Sequence, residues 1–127
     1  MAQETVLVVD DTEMNIKLLT VLLAARGYSV HSAASAEEAA PLLASRRFDC
    51  VLLDLSLPGQ DGLSFARQLR RDPAQAGLVI IAVTANAMKG DKEAALAAGC
   101  NAYVTKPIDT RAFPGLVADE IAKQRAS

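Results

Sequence analysis

The sequence predicts an α/β fold in which a five-stranded parallel sheet is doubly wound, with helices on both faces. Short apolar runs alternate five times with segments of helical periodicity along the 127 residues. The runs 5–9, 51–53 and 78–83 are almost uninterrupted in apolar residues, which is typical of parallel strands buried on both faces. Because strand–helix alternation requires right-handed crossovers, successive helices cover the two faces of one sheet.

Local start and stop signals define the segments. The predicted strands are 5–9, 28–33, 51–54, 78–83 and 101–104, and the predicted helices follow each of them. The helices are expected to end at Gly27, at Arg71 before Asp72-Pro73, and at Gly99. Ser35 and Asp61 are candidate N-caps, the fourth helix is predicted over 87–98, and the fifth from Asp109. Pro41 is expected to kink its helix or delay its regular start, and Pro114 to make the first turn of the last helix irregular.

The length of the chain predicts one compact domain, residues 1–127, and no further output domain is expected. Lys and Arg number 13 and Asp and Glu 15, so the net charge of −2 gives no electrostatic basis for binding nucleic acid or an anionic membrane. No apolar run is long enough to span a bilayer and the first residues do not resemble a signal peptide, so a cytoplasmic protein is expected. Cys50 and Cys100 lack zinc spacing and are predicted to be buried free thiols.

Chemically active side chains follow four of the predicted strands. They are Asp10 and Asp11 after the first strand, Asp54 at the end of the third, Thr84 after the fourth and Lys106 after the fifth. The carboxyl ends of parallel strands lie at one edge of the sheet, where ligands bind in open α/β folds. The topology therefore brings three carboxylates, a hydroxyl and an ammonium group together.

This set of groups favours phosphoryl chemistry. Three neighbouring carboxylates repel one another, and a hard divalent cation such as Mg²⁺ relieves that repulsion. A carboxylate such as Asp54 can act as a nucleophile and form an aspartyl phosphate. Lys106 and Thr84 could each stabilise negative charge on the oxygens of a transferring phosphoryl group.

Four motifs carry a resemblance to a known family. They are Asp10-Asp11, Asp54 in Leu-Leu-Asp-Leu-x-Leu-Pro-Gly-x-Asp-Gly, Thr84-Ala85, and Lys106-Pro107. In this order and spacing they resemble the receiver domain of two-component response regulators over essentially the full chain. The residues around Asp11–Asn15 and Val83–Asp91 are most similar to stand-alone cell-cycle regulators and to receivers of hybrid kinases. The resemblance implies the flavodoxin-like strand order 2-1-3-4-5.

The resemblance also implies roles for individual residues. Asp54 would accept the phosphoryl group and would ligate Mg²⁺ together with Asp11 and the backbone carbonyl of Ser56, with Asp10 acting through a water and Mn²⁺ as a possible substitute. Thr84 and Lys106 would contact the phosphoryl oxygens, and Tyr103 would change rotamer in concert with Thr84. The Lys106-Pro107 peptide bond would be cis.

The implied function is a signalling switch that is phosphorylated by a sensor histidine kinase or a histidine phosphotransfer protein. Its downstream partner would bind the face formed by the fourth helix, fifth strand and fifth helix. The protein would catalyse only its own phosphorylation and dephosphorylation, and would be a monomer or a weak dimer. Ser56 and Asn86 occupy positions that tune dephosphorylation in the family, and both are small and neutral here.

Other interpretations of the same residues remain open. An Asp-nucleophile phosphohydrolase would need a general acid two residues after the nucleophile, where this chain has Ser56. A flavin-binding protein would need a phosphate-binding loop after the first strand, where this chain is acidic. A degenerate receiver is disfavoured because every core position is present. Taken alone, Asp10-Asp11 would be a helix cap, Tyr103 a half-buried aromatic and His31 a solvated or hydrogen-bonded side chain.

Overall fold

The structure, a computed structural model, describes residues 4–55, 62–85 and 90–126. The strands are β1 (Thr5–Val9), β2 (Ser29–Ala33), β3 (Cys50–Asp54), β4 (Val79–Thr84) and β5 (Ala102–Thr105). The helices are α1 (Glu13–Ala24), α2 (Ala36–Ser45), α3 (Gly62–Arg71), α4 (Asp91–Ala97) and α5 (Phe113–Ala126), with a 3₁₀ turn at Pro73–Gln75. All strand pairs are parallel and their order is β2-β1-β3-β4-β5, which confirms the predicted fold class.

The central strands are buried because both of their faces are covered by helices. Alternate residues of each strand enter opposite layers: Leu7 and Ile80 belong to one apolar cluster, and Val6 and Ile81 to the other. Successive side chains of a strand point to opposite faces, so a strand between two helical layers must be apolar throughout. This double burial explains the uninterrupted apolar runs of the sequence. The parallel pairing places the C-terminal ends of all five strands at one edge.

Helix α2 begins after the predicted N-cap, and Pro41 lies inside it. Ser35 is the N-cap, and its hydroxyl accepts a hydrogen bond from the Glu38 backbone N–H at 3.1 Å. The helix then runs from Ala36 to Ser45 through Pro41, so of the two predicted effects, a kink or a delayed start, the delayed start does not occur. Pro41 removes one N–H donor, to the carbonyl of Glu37, and Glu37 is exposed to water.

The fourth helix is shorter than the pattern predicts. It begins at Asp91 and not at residue 87, because Gly90 has φ = +90°, a left-handed conformation that cannot continue a right-handed helix. Residues 86–89 lie outside the described residues. Its C-terminal end agrees with the prediction, since Gly99 follows with φ = +106°. Gly27 closes α1 in the same way, with φ = +92°.

The last helix also starts later than predicted, at Phe113 instead of Asp109. The Asp109 carboxylate accepts hydrogen bonds from the backbone N–H groups of Arg111 and Ala112 at 3.0 and 3.2 Å, which closes a turn before the helix. Pro114 is then the second helical residue, a position whose N–H has no partner within a helix. The irregular first turn that was expected near Pro114 therefore lies before the helix, in the turn closed by Asp109.

Two further predictions concern burial and membranes. Cys50 and Cys100 are buried free thiols, as expected. Burial raises the pKa of both thiols, to about 11 for Cys100. Across the described ranges, none of the helices has both the length and the apolar character needed to cross a membrane.

Candidate functional site

Three carboxylates meet at the C-terminal edge of the sheet. Asp54 is the last residue of β3, and Asp10 and Asp11 follow β1 directly. Oxygen atoms of all three lie within 4.8 Å of one another. Asp10 and Asp54 are 2% and 5% exposed, whereas Asp11 is open to solvent. A buried carboxylate pair with an exposed third member forms a cluster that a cation can enter from the solvent side.

Backbone contacts hold Asp10 in place. Its N–H donates to the carbonyl of Ala33 at 3.1 Å, which continues the pairing of β1 with β2. Its Oδ1 accepts from the backbone N–H of Thr12 at 2.8 Å, just before α1 begins. This bond closes a local turn before the helix and does not cap it, because Thr12 is the N-cap and no side chain caps α1. The interpretation of Asp10 as a helix cap is therefore wrong.

Lys106 supplies the positive charge at this edge. Its Nζ donates to Asp10 Oδ2 at 3.0 Å and to Asp54 Oδ2 at 3.3 Å, and its side chain is 16% exposed. Burial alone would lower the pKa of this amine, but the hydrogen bond to Asp10 and the charges of Asp54 and Asp10 outweigh it and raise the pKa. Lys106 is therefore protonated at neutral pH and offsets part of the carboxylate charge.

Thr84 and Lys106 are placed together by strand pairing. Thr84 ends β4, is 3% exposed and lies opposite Thr105 in the register. The backbone N–H of Lys106 donates to the Thr84 carbonyl at 2.8 Å, one step beyond that pair. The Lys106–Pro107 peptide bond is cis, the isomer that the resemblance implies.

Tyr103 lies two pairs before this edge, opposite Ala82 on β4. It is half-buried, as expected, and packs against the core layer that contains Ala95 of α4. Its hydroxyl is buried and finds no hydrogen-bond partner among the residues that the structure describes. Burial, with the charges of Asp91 and Glu93, raises the pKa of this phenol.

Some predicted site features cannot be placed, and others were missed. Ser56, Asp61 and Asn86 lie outside the described residues. His31 is hydrogen-bonded, as expected, with the Arg46 guanidinium 3.0 Å from its Nε2. The sequence did not reveal that Lys106 bridges Asp10 and Asp54, because no local signal indicates which strand ends touch.

The donor set suits a hard cation. Carboxylate oxygens with open access to water are the ligands that Mg²⁺ prefers, and the one described cation among them, Lys106, contacts only one oxygen of each buried aspartate. Asp11, exposed and part of the same cluster, leaves the solvent side open to an ion.

Comparison with known proteins agrees with this geometry. The sequence model of the response regulator receiver domain matches residues 6–118. The polar-differentiation response regulator DivK of Brucella anthropi is 39% identical over 110 residues, which cover 87% of this chain and 89% of DivK. A putative response regulator from Chloroflexus aurantiacus superposes with a TM-score of 0.91 at 32% identity, covering 95% of this chain and 99% of that one.

A third relative bears on the metal. The receiver domain of the sensor histidine kinase PA1611 from Pseudomonas aeruginosa has a TM-score of 0.86 at 33% identity, covering 95% of this chain and 99% of its own. Its structure contains a magnesium ion coordinated in the active-site cleft.

The chain belongs to the response regulator receiver domain family. It is a receiver domain of two-component systems and acts as a phosphorylation-dependent signalling switch. Receiver domains bind Mg²⁺ at an acidic site, and the Asp10, Asp11 and Asp54 cluster is compatible with that ion and with an aspartyl phosphate. Receiver domains interact with histidine kinases or phosphotransfer proteins and with downstream partners.

Proposed function

We propose that Asp54 is the phosphoryl acceptor and that its donor is a phosphohistidine of a sensor histidine kinase or a histidine phosphotransfer protein. The observation that carries this proposal is the position of Asp54. It is the buried carboxylate at a strand end that has the Lys106 amine at 3.3 Å and two further carboxylates within 4.8 Å. Asp11 is exposed, and Asp10 follows β1 and accepts the Thr12 N–H, so these two carboxylates would have other tasks in the same cluster.

The residues present divide the transfer reaction between them. An Asp54 oxygen attacks phosphorus, the P–N bond to the donor histidine breaks, and its electron pair returns to the imidazole nitrogen. Lys106 and the Thr84 hydroxyl stabilise the charge on the transferring oxygens. Asp11, Asp54 and the Ser56 carbonyl would hold Mg²⁺, with Asp10 acting through a water and Mn²⁺ as a substitute. The bound ion would neutralise the carboxylates and the phosphoryl oxygens.

The switch would follow from the same residues. A phosphoryl group on Asp54 attracts the Thr84 hydroxyl, and the space that Thr84 leaves can accept the Tyr103 ring. The Tyr103 hydroxyl has no hydrogen-bond partner among the described residues, which supports a change of ring position, because a new position can supply that partner. The change would alter the face formed by α4, β5 and α5, where a downstream protein would bind.

The residues 1–127 would form one receiver domain, a monomer or a weak dimer, that catalyses only its own phosphorylation and dephosphorylation. The family model covers most of this length. Sustained release of phosphate from a phosphomonoester by the purified protein would contradict the catalytic part of this proposal.

An exposed apolar stripe on α1 supports a protein as the donor. Met14, Leu18 and Val21 are 81%, 42% and 60% exposed, and their spacing of four and three residues places them on one side of the helix. The helix begins two residues after Asp11, so the stripe starts beside the site. A small-molecule phosphodonor would not need such a surface, whereas an apolar patch next to the site suits a partner protein.

The acceptor is tested with acetyl phosphate and Mg²⁺, followed by intact mass measurement. The parent protein and the control variant Asp119→Asn, whose substituted side chain is exposed on α5, should each gain one phosphoryl group. Asp54→Asn should gain none, because an amide oxygen is a poor nucleophile. Labelling of Asp54→Asn at the parent's rate would overturn the proposal.

The donor surface is tested by comparing two phosphodonors. Leu18→Glu should slow transfer from a phosphorylated histidine phosphotransfer protein about tenfold or more, which corresponds to about 1.4 kcal/mol. Labelling by acetyl phosphate should stay unchanged, because that donor makes no contact with α1. Leu96→Glu, at a 44% exposed position on α4, is the control and should leave both rates near those of the parent. Equal slowing with both donors would contradict a docking role.

A further inference from the structure

Arg70 forms several hydrogen bonds at the edge of the sheet opposite to the edge where Asp54 lies. It lies in the last turn of α3, is half-buried, and binds oxygens only. Its donors reach the carbonyls of Gly99 (2.8 Å), Leu78 (2.7 Å) and Gln75 (3.3 Å) and the side-chain oxygen of Asn101 (2.7 Å). Within 4–55, 62–85 and 90–126, it makes no ion pair with a carboxylate. Burial lowers the pKa of the guanidinium, which nonetheless remains charged at any physiological pH.

The acceptors belong to two separate connections of the chain. Gln75 and Leu78 precede β4, whereas Gly99 and Asn101 join α4 to β5. Asn101 also pairs with Ile80 of β4 in both directions. Its N–H donates to the Ile80 carbonyl at 2.7 Å, and its side-chain oxygen accepts from the Ile80 N–H at 2.8 Å. The guanidinium therefore ties the end of α4 and the start of β5 to the start of β4.

Among the described residues, the apolar contact between α4 and the sheet is small. Within the helix only Ala95 is buried, and Leu96 points outward. An alanine methyl group buries little apolar area, so it contributes far less than a buried leucine. The Arg70 guanidinium also lies at the C-terminal end of α4, where the helix dipole favours positive charge. The hydrogen bonds of Arg70 thus strengthen the attachment of α4 at the end remote from Asp54.

The glycine at position 99 fits this arrangement for a second reason besides its left-handed backbone. A Cβ at Gly99 would lie 2.4 Å from Arg70 Cγ. The Arg70 stem therefore packs directly against the Gly99 backbone, in the space that a side chain would occupy. Arg70, Gly99 and Asn101 form one unit, the Arg70 clamp.

We propose that the Arg70 clamp is a fixed pivot that holds the C-terminal end of α4 and the start of β5 in both signalling states. The response to phosphorylation is then a displacement of the opposite end of α4, nearest Thr84, together with Tyr103. This inference rests on the proposed phosphorylation of Asp54. It assigns to Arg70 a positioning role in the switch and no contact with the phosphoryl group.

The pivot is tested first in the parent protein, by amide hydrogen exchange measured by NMR with and without acetyl phosphate and Mg²⁺. Exchange in the segment 91–95 should change about fivefold or more on phosphorylation. Exchange in the segment 98–101 should change less than about twofold. Equal changes at the two ends of α4 would show that the helix moves as a whole and would overturn the pivot.

Variants test the clamp itself in the unphosphorylated protein. Arg70→Met keeps the apolar stem and removes the donors, and it should speed exchange in the segment 98–101 about tenfold or more. Arg71→Met, at the neighbouring exposed arginine, is the matched control and should stay within about twofold of the parent. Asn101→Asp keeps the acceptor for Arg70 and Ile80 and should also match the parent. Arg70→Met behaving like Arg71→Met would overturn the role of the clamp.

The proposed acceptor and the proposed pivot can fail independently of each other. If intact mass measurement shows no phosphoryl group on Asp54, the proposed acceptor is wrong, and the clamp is still decided by exchange in the unphosphorylated variants. If Asp54 is labelled but both ends of α4 respond equally, the pivot is wrong and the acceptor stands. If Arg70→Met also loses protection from exchange in β1 and β3, the variant has unfolded globally. The comparison of segments 91–95 and 98–101 in the parent protein then decides whether the pivot exists.

Discussion

Lys106 has two opposing effects on the site: it neutralises the buried carboxylates, and it competes with a metal cation for them. Its Nζ lies 3.0 Å from Asp10 and 3.3 Å from Asp54, and both carboxylates are nearly inaccessible to water. Buried charges require such partners, because an unpaired buried carboxylate loses its hydration without compensation. The same amine repels a divalent ion placed within a few ångströms of it.

Replacement of this amine should separate metal binding from phosphorylation. In Lys106→Met, Mg²⁺ should bind about 5- to 30-fold more tightly, since about 1–2 kcal/mol of repulsion is removed. Labelling of Asp54 by acetyl phosphate should slow about tenfold or more, since one group that stabilises the phosphoryl oxygens is lost. Calorimetric Mg²⁺ titration and intact mass time courses measure the two effects. Lys123→Met, at a 73% exposed side chain, is the control; weaker Mg²⁺ binding by Lys106→Met would contradict the argument.

Cys100 gives the protein a predictable loss of stability at alkaline pH. Burial raises the pKa of its thiol from 9.0 to about 11. Between these values the unfolded chain releases the thiol proton while the folded chain retains it, so the free energy of unfolding falls as pH rises.

The expected contribution of Cys100 is about 1–3 kcal/mol between pH 9 and pH 11. Urea unfolding of the parent and of Cys100→Ala over this range measures it, and the variant should show the shallower decline. Cys50, Tyr28 and Tyr103 also have raised pKa values and act in the same direction, so only the difference between the two proteins reports Cys100. Parallel curves would contradict the assignment.

At the scale of elements, the start of α3 is pressed against the end of β3. A Cβ on Gly62 would lie 2.8 Å from the Leu55 Cα and 2.9 Å from the Asp54 carbonyl oxygen. Both atoms belong to the backbone, which cannot move aside without shifting Asp54. The glycine therefore lets a helix begin directly behind the proposed acceptor.

Gly62→Ala should reduce the free energy of unfolding by about 1–3 kcal/mol and weaken Mg²⁺ binding, because overpacking displaces the Asp54 backbone. Gly115→Ala is the matched control: Gly115 lies within α5 and a Cβ there would meet nothing within 4 Å. That variant should gain about 0.4–1 kcal/mol, because alanine reduces the entropy of the unfolded chain. Denaturant unfolding and Mg²⁺ titration compare them, and equal stability of the two variants would refute the close-packing argument.

At the scale of the whole molecule, the charge cluster couples metal binding to folding. The adjacent Asp10 and Asp11 meet the distant Asp54 only in the folded state, so a cation bound by all three stabilises that state alone. Mg²⁺ at ten times its dissociation constant should add about 1.4 kcal/mol and raise Tm by about 3–6 °C.

Thermal unfolding with Mg²⁺ and after chelation checks this coupling. Asp11→Asn should show a much smaller Mg²⁺-dependent shift of Tm while its metal-free stability stays close to that of the parent, since Asp11 is exposed. Asp119→Asn should shift as the parent does. A full shift in Asp11→Asn would exclude Asp11 as a ligand.

The sequence by itself determined which segments are strands and which residues follow them. Apolar runs such as Val51–Leu53 are local signals of double burial, and Gly27 and Gly99 are local stop signals. Strand direction then places Asp10, Asp11, Asp54, Thr84 and Lys106 at one edge of the sheet without knowledge of any contact. The starts of α4 and α5 were predicted too early, because they are set by the backbone conformation of Gly90 and by the Asp109 turn. Local apolar periodicity does not reveal either feature.

Only the tertiary structure decided which of these groups touch. Lys106 meets Asp10 and Asp54 across 96 and 52 residues of chain, and Arg70 meets Asn101 across 31. Such contacts depend on register, twist and side-chain reach, and no local pattern encodes them. Arg70 appears in the sequence only as a cation in the last turn of a helix, yet in the fold its guanidinium joins α3, β4, α4 and β5. Periodicity records burial, whereas polar contacts between distant segments exist only once the chain has folded.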